Sequence, residues 1–248
     1  MAEAKTPFIR IGDFFFKYRN YLFPAVILIM FITFAPEYEY RGSELIEDWK
    51  DVVALIIGLS GLAVRGAVIG YAYIKRGGLN KQVYADTLVT EGLFTICRNP
   101  LYFGNMLIYF AVFLMHGNPW VIFLGTGLFY FIYSSIIAAE EYFLRNKFGE
   151  AFVAYCQNTP RWIPRLSKFK QATEGMEFKL KKALVKDYST IGMTLISLAL
   201  PELMELVKFY PIHTVEDDIR ILVAIICTCV VFMLVVRFLK KTSRLKVS

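Results

Sequence analysis

The sequence predicts an all-α protein: a polytopic membrane helical bundle of about six transmembrane helices, with amphipathic helices lying along its interface. Three observations predict it. Hydrophobic residues make up 56% of the 248, and the mean hydropathy is +0.48, too apolar for an ordinary soluble domain. The apolar runs are longer than buried core helices need. Basic residues collect in alternate loops, as the positive-inside rule requires of a multi-pass chain.

Residues 1–19 set Lys5, Arg10, Lys17 and Arg19 among Phe8, Ile9, Phe14, Phe15 and Phe16. That pattern reads as an interfacial helix rather than a cleavable signal. Span one is expected at 21–35, ended by Pro36. After an acidic loop, span two is expected at 52–74, where Gly66-x-x-x-Gly70 would allow a close helix contact. Arg65 lies well inside this span. An arginine near the bilayer centre costs about 2.5–3.5 kcal/mol on insertion scales, so it should face a partner or a wet cavity, or else snorkel or bind a backbone carbonyl. A basic loop with Gly77-Gly78 covers 75–99. Spans three (101–115) and four (120–139) are joined by His116-Gly117-Asn118-Pro119, a turn so short that they must form an antiparallel hairpin.

Residues 142–156 continue as a surface helix with Phe148, Phe152 and Tyr155 on one face, and Arg161, Trp162, Pro164 and Arg165 form a basic aromatic belt. Lys168, Lys170, Lys179, Lys181, Lys182 and Lys186 make the next stretch a basic amphipathic linker suited to anionic lipid headgroups. Spans five (189–207, with a kink at Pro201) and six (219–239) follow, and Glu202 and Glu205 read as interfacial beside Lys208 in preference to lining a substrate passage. The chain thus divides into an interfacial segment 1–19, a core 20–165, the linker 166–187 and a C-terminal transmembrane hairpin 188–248.

Loops 36–51 and 208–218 are acidic, whereas 1–19, 75–99, 140–187 and 240–248 are basic, which places both termini on the cytosolic face of an inner membrane or endoplasmic reticulum. The net charge of +7 is explained by these flanks, so no nucleic-acid partner is expected. Cys97, Cys156, Cys227 and Cys229 lack metal-ligand spacing, and His116 and His213 fall in short loops on the opposite face, so no metal site is expected.

Chemistry concentrates at 88–105. Asn99 is placed to cap a helix opened by Pro100, and Arg98 beside that N-terminus suits an anionic group. Gly92 breaks the preceding segment, and Gly104 leaves room for a ligand or a second backbone. The 101–139 hairpin returns Glu140 and Glu141 to the membrane face of Arg98. Successive helical residues differ by about 100°, so one glutamate can enter a pocket while the other looks sideways. Which does so is open at this stage, and the bland alternative for Glu141 is an i,i+4 pair with Arg145.

The run Leu88-Val89-Thr90-x-Gly92, Arg98-Asn99-Pro100-x-Tyr102-x-Gly104, Glu140-Glu141-x-x-Leu144, Phe148-Gly149-x-x-Phe152-x-x-Tyr155 and Pro160-Arg161 resembles the isoprenylcysteine carboxyl methyltransferase and phospholipid methyltransferase group of integral membrane enzymes, over roughly 52–164. Many members carry His where this chain has Asn99. The resemblance implies S-adenosylmethionine as cofactor, held by Leu88, Val89, Thr90, Gly92, Arg98, Asn99, Pro100, Tyr102, Gly104, Glu140 and Glu141, with Arg98, Glu140 and Glu141 catalytic. It implies a lipidic acceptor, an isoprenylcysteine carboxylate or a phospholipid amine, with Arg65, Tyr155 and Arg161 on its side. Two other classes stay open: a sterol-type membrane reductase using NADPH, against which Asn99 and Asn105 depart from the expected His and acid, and a non-enzymatic lipid-binding protein.

Overall fold

A computed structural model describes residues 4–37, 43–71, 83–242 and 245. The expected Gly77-Gly78 turn and parts of the chain's two ends lie outside the described residues. All regular structure among those described is helical: α1 (Pro7–Thr33), α2 (Glu44–Tyr71), α3 (Pro100–His116), α4 (Pro119–Phe148), α5 (Glu150–Asn158), α6 (Phe169–Ala172), α7 (Leu180–Phe209) and α8 (Glu216–Lys241). Five of these are long and apolar enough to cross a membrane, and the 17-residue α3 is a shorter apolar helix, so the helical membrane bundle is as the sequence reads.

Helix boundaries differ from the reading in two places. The expected break between an interfacial segment and span one does not occur: α1 runs unbroken from Pro7 through Pro24 to Thr33, started by Thr6, whose hydroxyl accepts from the Ile9 N–H at 3.4 Å. The expected linker 166–187 is only partly a linker. It holds a short 3-10 turn, the brief α6 and a turn through Gly175, and then α7 begins at Leu180, so Lys181, Lys182 and Lys186 ride on a spanning helix. Leu180 and Leu184, set among these lysines, belong to the spanning helix α7.

The 116–119 turn forms the predicted hairpin. Gly117 ends α3 in the left-handed region (φ 78°), and Asn118 caps α4 by accepting from the Trp120 N–H at 3.0 Å, with Pro119 in the first turn. Neighbours pack in the order α1, α4, α3, α2, α7, α8. The centre is aromatic: Phe23 meets Tyr109, Phe129 and Tyr133 at 5.8, 5.1 and 5.5 Å between centroids. Helix α8 is outermost, with only Cys229 and Val236 buried, and its acidic first turn and basic last turn complement its dipole.

The close contact in α2 is not made by Gly66 and Gly70. A Cβ on Gly66 would meet nothing within 4 Å, and Gly70 faces Phe178 instead. Gly61 crosses Gly104 of α3: a Cβ on Gly61 would lie 2.7 Å from the Gly104 carbonyl oxygen, and one on Gly104 would lie 3.0 Å from that of Gly61. Gly61→Val is therefore expected to destabilise the bundle by about 1–3 kcal/mol through overpacking, and Gly66→Ala to leave it unchanged or firmer. Thermal unfolding of both in detergent checks this.

At the end of the bundle remote from Arg98, Glu202 and Glu205 gather with acidic residues of α2. Glu205 is buried, and the carboxylates of Glu47, Asp51 and Glu202 lie within 4.8 Å of one another. Lys50 supplies the cation there, 2.8 Å from Glu47, 2.9 Å from Asp51 and 3.2 Å from the Met115 carbonyl. His116 is fully buried as the last residue of α3, its ring 4.5 Å from that of Phe31, rather than in an open loop.

Candidate active site

The backbone from Ile96 to Asn99 is laced to the strap 160–165. Arg98 N–H donates to the Pro160 carbonyl at 2.9 Å and Arg165 N–H to that of Ile96 at 3.0 Å. The Cys97 thiol meets the Trp162 carbonyl at 3.0 Å, and Asn99 Nδ2 donates to that of Arg161 at 3.0 Å. The last bond corrects the expected cap. Asn99 is at the cap position of α3, but its side chain makes no capping bond and is spent on the strap. With Pro100 having no N–H, the first-turn amides of Leu101 and Tyr102 are left without an intrahelical partner. Burial pushes the Cys97 thiol up to about 11, with the Asn99 backbone and Arg98 pulling it down less strongly, so this cysteine is inert near neutral pH.

The two glutamates part as the helical period requires. Glu141 turns to the strap: its Oε1 is 3.0 Å from Arg98 Nη1 and its Oε2 2.9 Å from Arg161 Nη2, with Arg161 Nε a further donor at 3.2 Å. Glu141 thus pairs with Arg98 and Arg161 and not, as the alternative had it, with Arg145. Arg98 Nη1 also donates to Cys156 Sγ at 2.8 Å, while its Nε is buried with no partner. Glu140 faces the bundle: it accepts from the Tyr102 hydroxyl at 2.9 Å, and that hydroxyl accepts from Arg19 of α1 at 3.3 Å. Tyr155 of α5 donates to the Phe94 carbonyl at 2.7 Å, and burial raises its phenol.

These groups border one cavity of about 1090 Å³, at the upper end for a small-molecule site. Of the residues singled out in the sequence, Leu88, Val89, Arg98, Asn99, Pro100, Tyr102, Glu140, Glu141, Arg65 and Tyr155 line it. Thr90, Gly92, Gly104 and Arg161 stand behind the wall: Gly92 takes φ 60° at the start of a 3-10 turn, Gly104 faces α2, and Arg161 buttresses Glu141. Arg65 does find partners. Its Nε and Nη2 grip Asp187 of α7 at 2.8 and 2.5 Å, Nη2 reaches Thr190 at 3.3 Å, and Nη1 donates to Asn105, which in turn donates to Tyr133 at 2.9 Å.

Sequence reasoning missed Arg19, residues 83–87 and the α7 positions Thr190, Thr194 and Ser197 among the lining. For Arg19 a signal existed: it precedes Phe23, Ile27 and Phe31 at four-residue intervals, one face of a helix.

Residues 53–151 match the family model described as phospholipid methyltransferase. Over 124 residues the chain is 33% identical to the cobalt-zinc-cadmium resistance protein CzcN of Cupriavidus metallidurans, covering 49% of this chain and 54% of that protein. It is 25% identical over 189 residues to the nickel-cobalt-cadmium resistance protein NccN of Alcaligenes xylosoxydans xylosoxydans, covering 75% of this chain and 83% of that one. It is also 31% identical over 77 residues to protein-S-isoprenylcysteine O-methyltransferase B of Arabidopsis thaliana, which is 31% of this chain and 39% of that enzyme. The chain thus spans about half the length of the first of these relatives. No solved structure matches. The resemblance carried by the motifs holds in the comparisons: residues 53–151, which include Arg98, Glu140 and Glu141, match the phospholipid methyltransferase family model.

Proposed function

We propose that the protein is an S-adenosylmethionine-dependent methyltransferase acting on a lipidic acceptor at the cytosolic face of its membrane. The observation that carries this reading is the placement of Arg98 and Glu141, 3.0 Å apart, on the wall of a cavity that continues between α1 and α7 into apolar surroundings. A water-borne charged ligand and a greasy one can share such a space.

The residues present fit the cofactor. Arg98 Nε is a buried donor lacking a partner, and the free first-turn amides of α3 stand beside it, so this corner suits a carboxylate. Leu88, Val89, Leu144, Phe152 and Tyr155 offer an apolar and aromatic wall for an adenosine. When bound, S-adenosylmethionine supplies a methyl group already activated on a sulfonium. The protein's part is then to hold donor and acceptor in line and exclude water. Glu141, held between two arginines, sets the position of Arg98. Glu140 is the carboxylate next to the acceptor space: it is the base for an amine or hydroxyl acceptor, and a carboxylate acceptor needs none.

Purified protein is expected to bind S-adenosylmethionine and to ignore NADPH, and membranes given methyl-labelled donor are expected to pass label to a lipid-soluble species. Binding of NADPH alone would favour the reductase class. Binding of neither would leave a lipid-binding protein.

A further inference from the structure

Three arginines line the cavity, and they differ in one respect. Arg65 and Arg98 each have a carboxylate within ion-pair distance, while Arg19 has none within 4.0 Å among the described residues. A guanidinium carries five N–H donors in a planar fork. In Arg19 one of them, on Nη1, reaches the Tyr102 hydroxyl at 3.3 Å, and the group stacks 4.4 Å from the Phe16 ring, which fixes its plane. Arg19 itself lines the cavity.

Below Arg19 on the same face of α1, half-buried Ile27 lines the cavity between Phe23 and Phe31, which border it while keeping only 5% and 2% exposure. At 1.5 Å per residue the rise from Arg19 to Phe31 is about 18 Å, the length of one extended lipid tail rather than of a compact solute. A planar cation at the top of an apolar stripe has the chemical outline of a single-chain amphiphile with an anionic head. Helix α1 lies outside the segment 53–151 that matches the family model.

We infer that Arg19 is the head-group-selecting residue of the cavity, engaging a carboxylate or phosphate of a lipid whose tail runs along Phe23, Ile27 and Phe31. The inference rests on the lipid-acceptor reading given above and names the chemistry of that acceptor. Tyr102 separates the two charges: it accepts from Arg19 and donates to Glu140, so an anion on the open side of the guanidinium does not abut the Glu140 carboxylate.

The test uses the full-length protein in nanodiscs and three probes of one chain length: palmitate, the corresponding alkyl phosphate and the corresponding alkyl trimethylammonium. At least one anionic probe is expected to bind tenfold or more tightly than the cationic one, and the tighter of the two anions identifies the head group. Arg19→Gln is expected to bring all three within about threefold of one another, and Arg19→Lys to retain the anion preference. Ile27→Trp, filling the stripe, is expected to weaken palmitate more than its shorter homologues. Equal binding of anionic and cationic probes by the parent protein, or a preference that survives Arg19→Gln, would overturn the inference. S-adenosylmethionine affinity is measured on the parent protein in the same nanodiscs. Cofactor binding without head-group preference sinks the Arg19 assignment alone. Head-group preference without cofactor binding upholds Arg19 and overturns the methyltransferase reading.

Discussion

Asp187→Leu is expected to destabilise the bundle by about 3–5 kcal/mol, the cost of leaving a buried charge without its partner. Arg65 and Asp187 are buried to within 8% and 3% of side-chain exposure and are joined by two bonds of 2.5 and 2.8 Å, with Thr190 donating to Asp187 at 2.9 Å. The pair binds α2 to α7 across the cavity's flank. Removing the carboxylate strands a guanidinium that costs about 2.5–3.5 kcal/mol to place in mid-membrane even when it is free to adapt. The companion change decides the cause: Arg65→Met with Asp187→Leu should recover most of the loss, because an apolar pair of similar volume owes no desolvation. Equilibrium unfolding in mixed micelles reads both. A single variant within 1 kcal/mol of the parent would show that the ion pair does not hold the helices together.

Glu141→Gln is expected to weaken S-adenosylmethionine binding tenfold or more, about 1.4 kcal/mol. The carboxylate lies between Arg98 at 3.0 Å and Arg161 at 2.9 Å, and a neutral amide would leave the two cations facing each other. Because Glu141 keeps 22% of its side-chain exposure, water screens part of this repulsion, and the effect belongs to the aim of Arg98 more than to global stability. Arg145→Gln, exposed and outside this arrangement, is the matched control and should bind the cofactor within twofold of the parent. Calorimetric titration distinguishes them, and equal affinities for Glu141→Gln and the control would remove Glu141 from the site.

Much of this geometry was legible because short connections leave few choices. The four-residue turn at 116–119 forces α3 and α4 into a hairpin, and that alone returns Glu140 and Glu141 to the level of Arg98. The helical period then separates the two acids. What escaped depends on rotation and on distant chain. Whether Gly61 or Gly66 meets α3 is settled by how α2 turns about its axis, which its apolar period does not fix when every face is greasy. The side chain of Asn99 was read as a cap because its local partners favour that, yet the Arg161 carbonyl, 62 residues on, claims it. Asp187 closes the lysine-rich stretch that the sequence marks as a linker, whereas α7 starts a full turn and more before it. Arg19 looked like an interfacial charge because its use depends on Tyr102 being carried beside it by another helix.

Among the described residues, helix α1 packs chiefly on α4, and α7 on α2, α3 and α8, so the two helices that flank the cavity share no extensive contact. Any gap between them is filled by whatever solvates the protein. In a bilayer this is acyl chain, and in a micelle it is surfactant. The hosting medium thus acts as a component of the ligand chamber, and affinities for greasy molecules will compare across laboratories only when that medium is held constant.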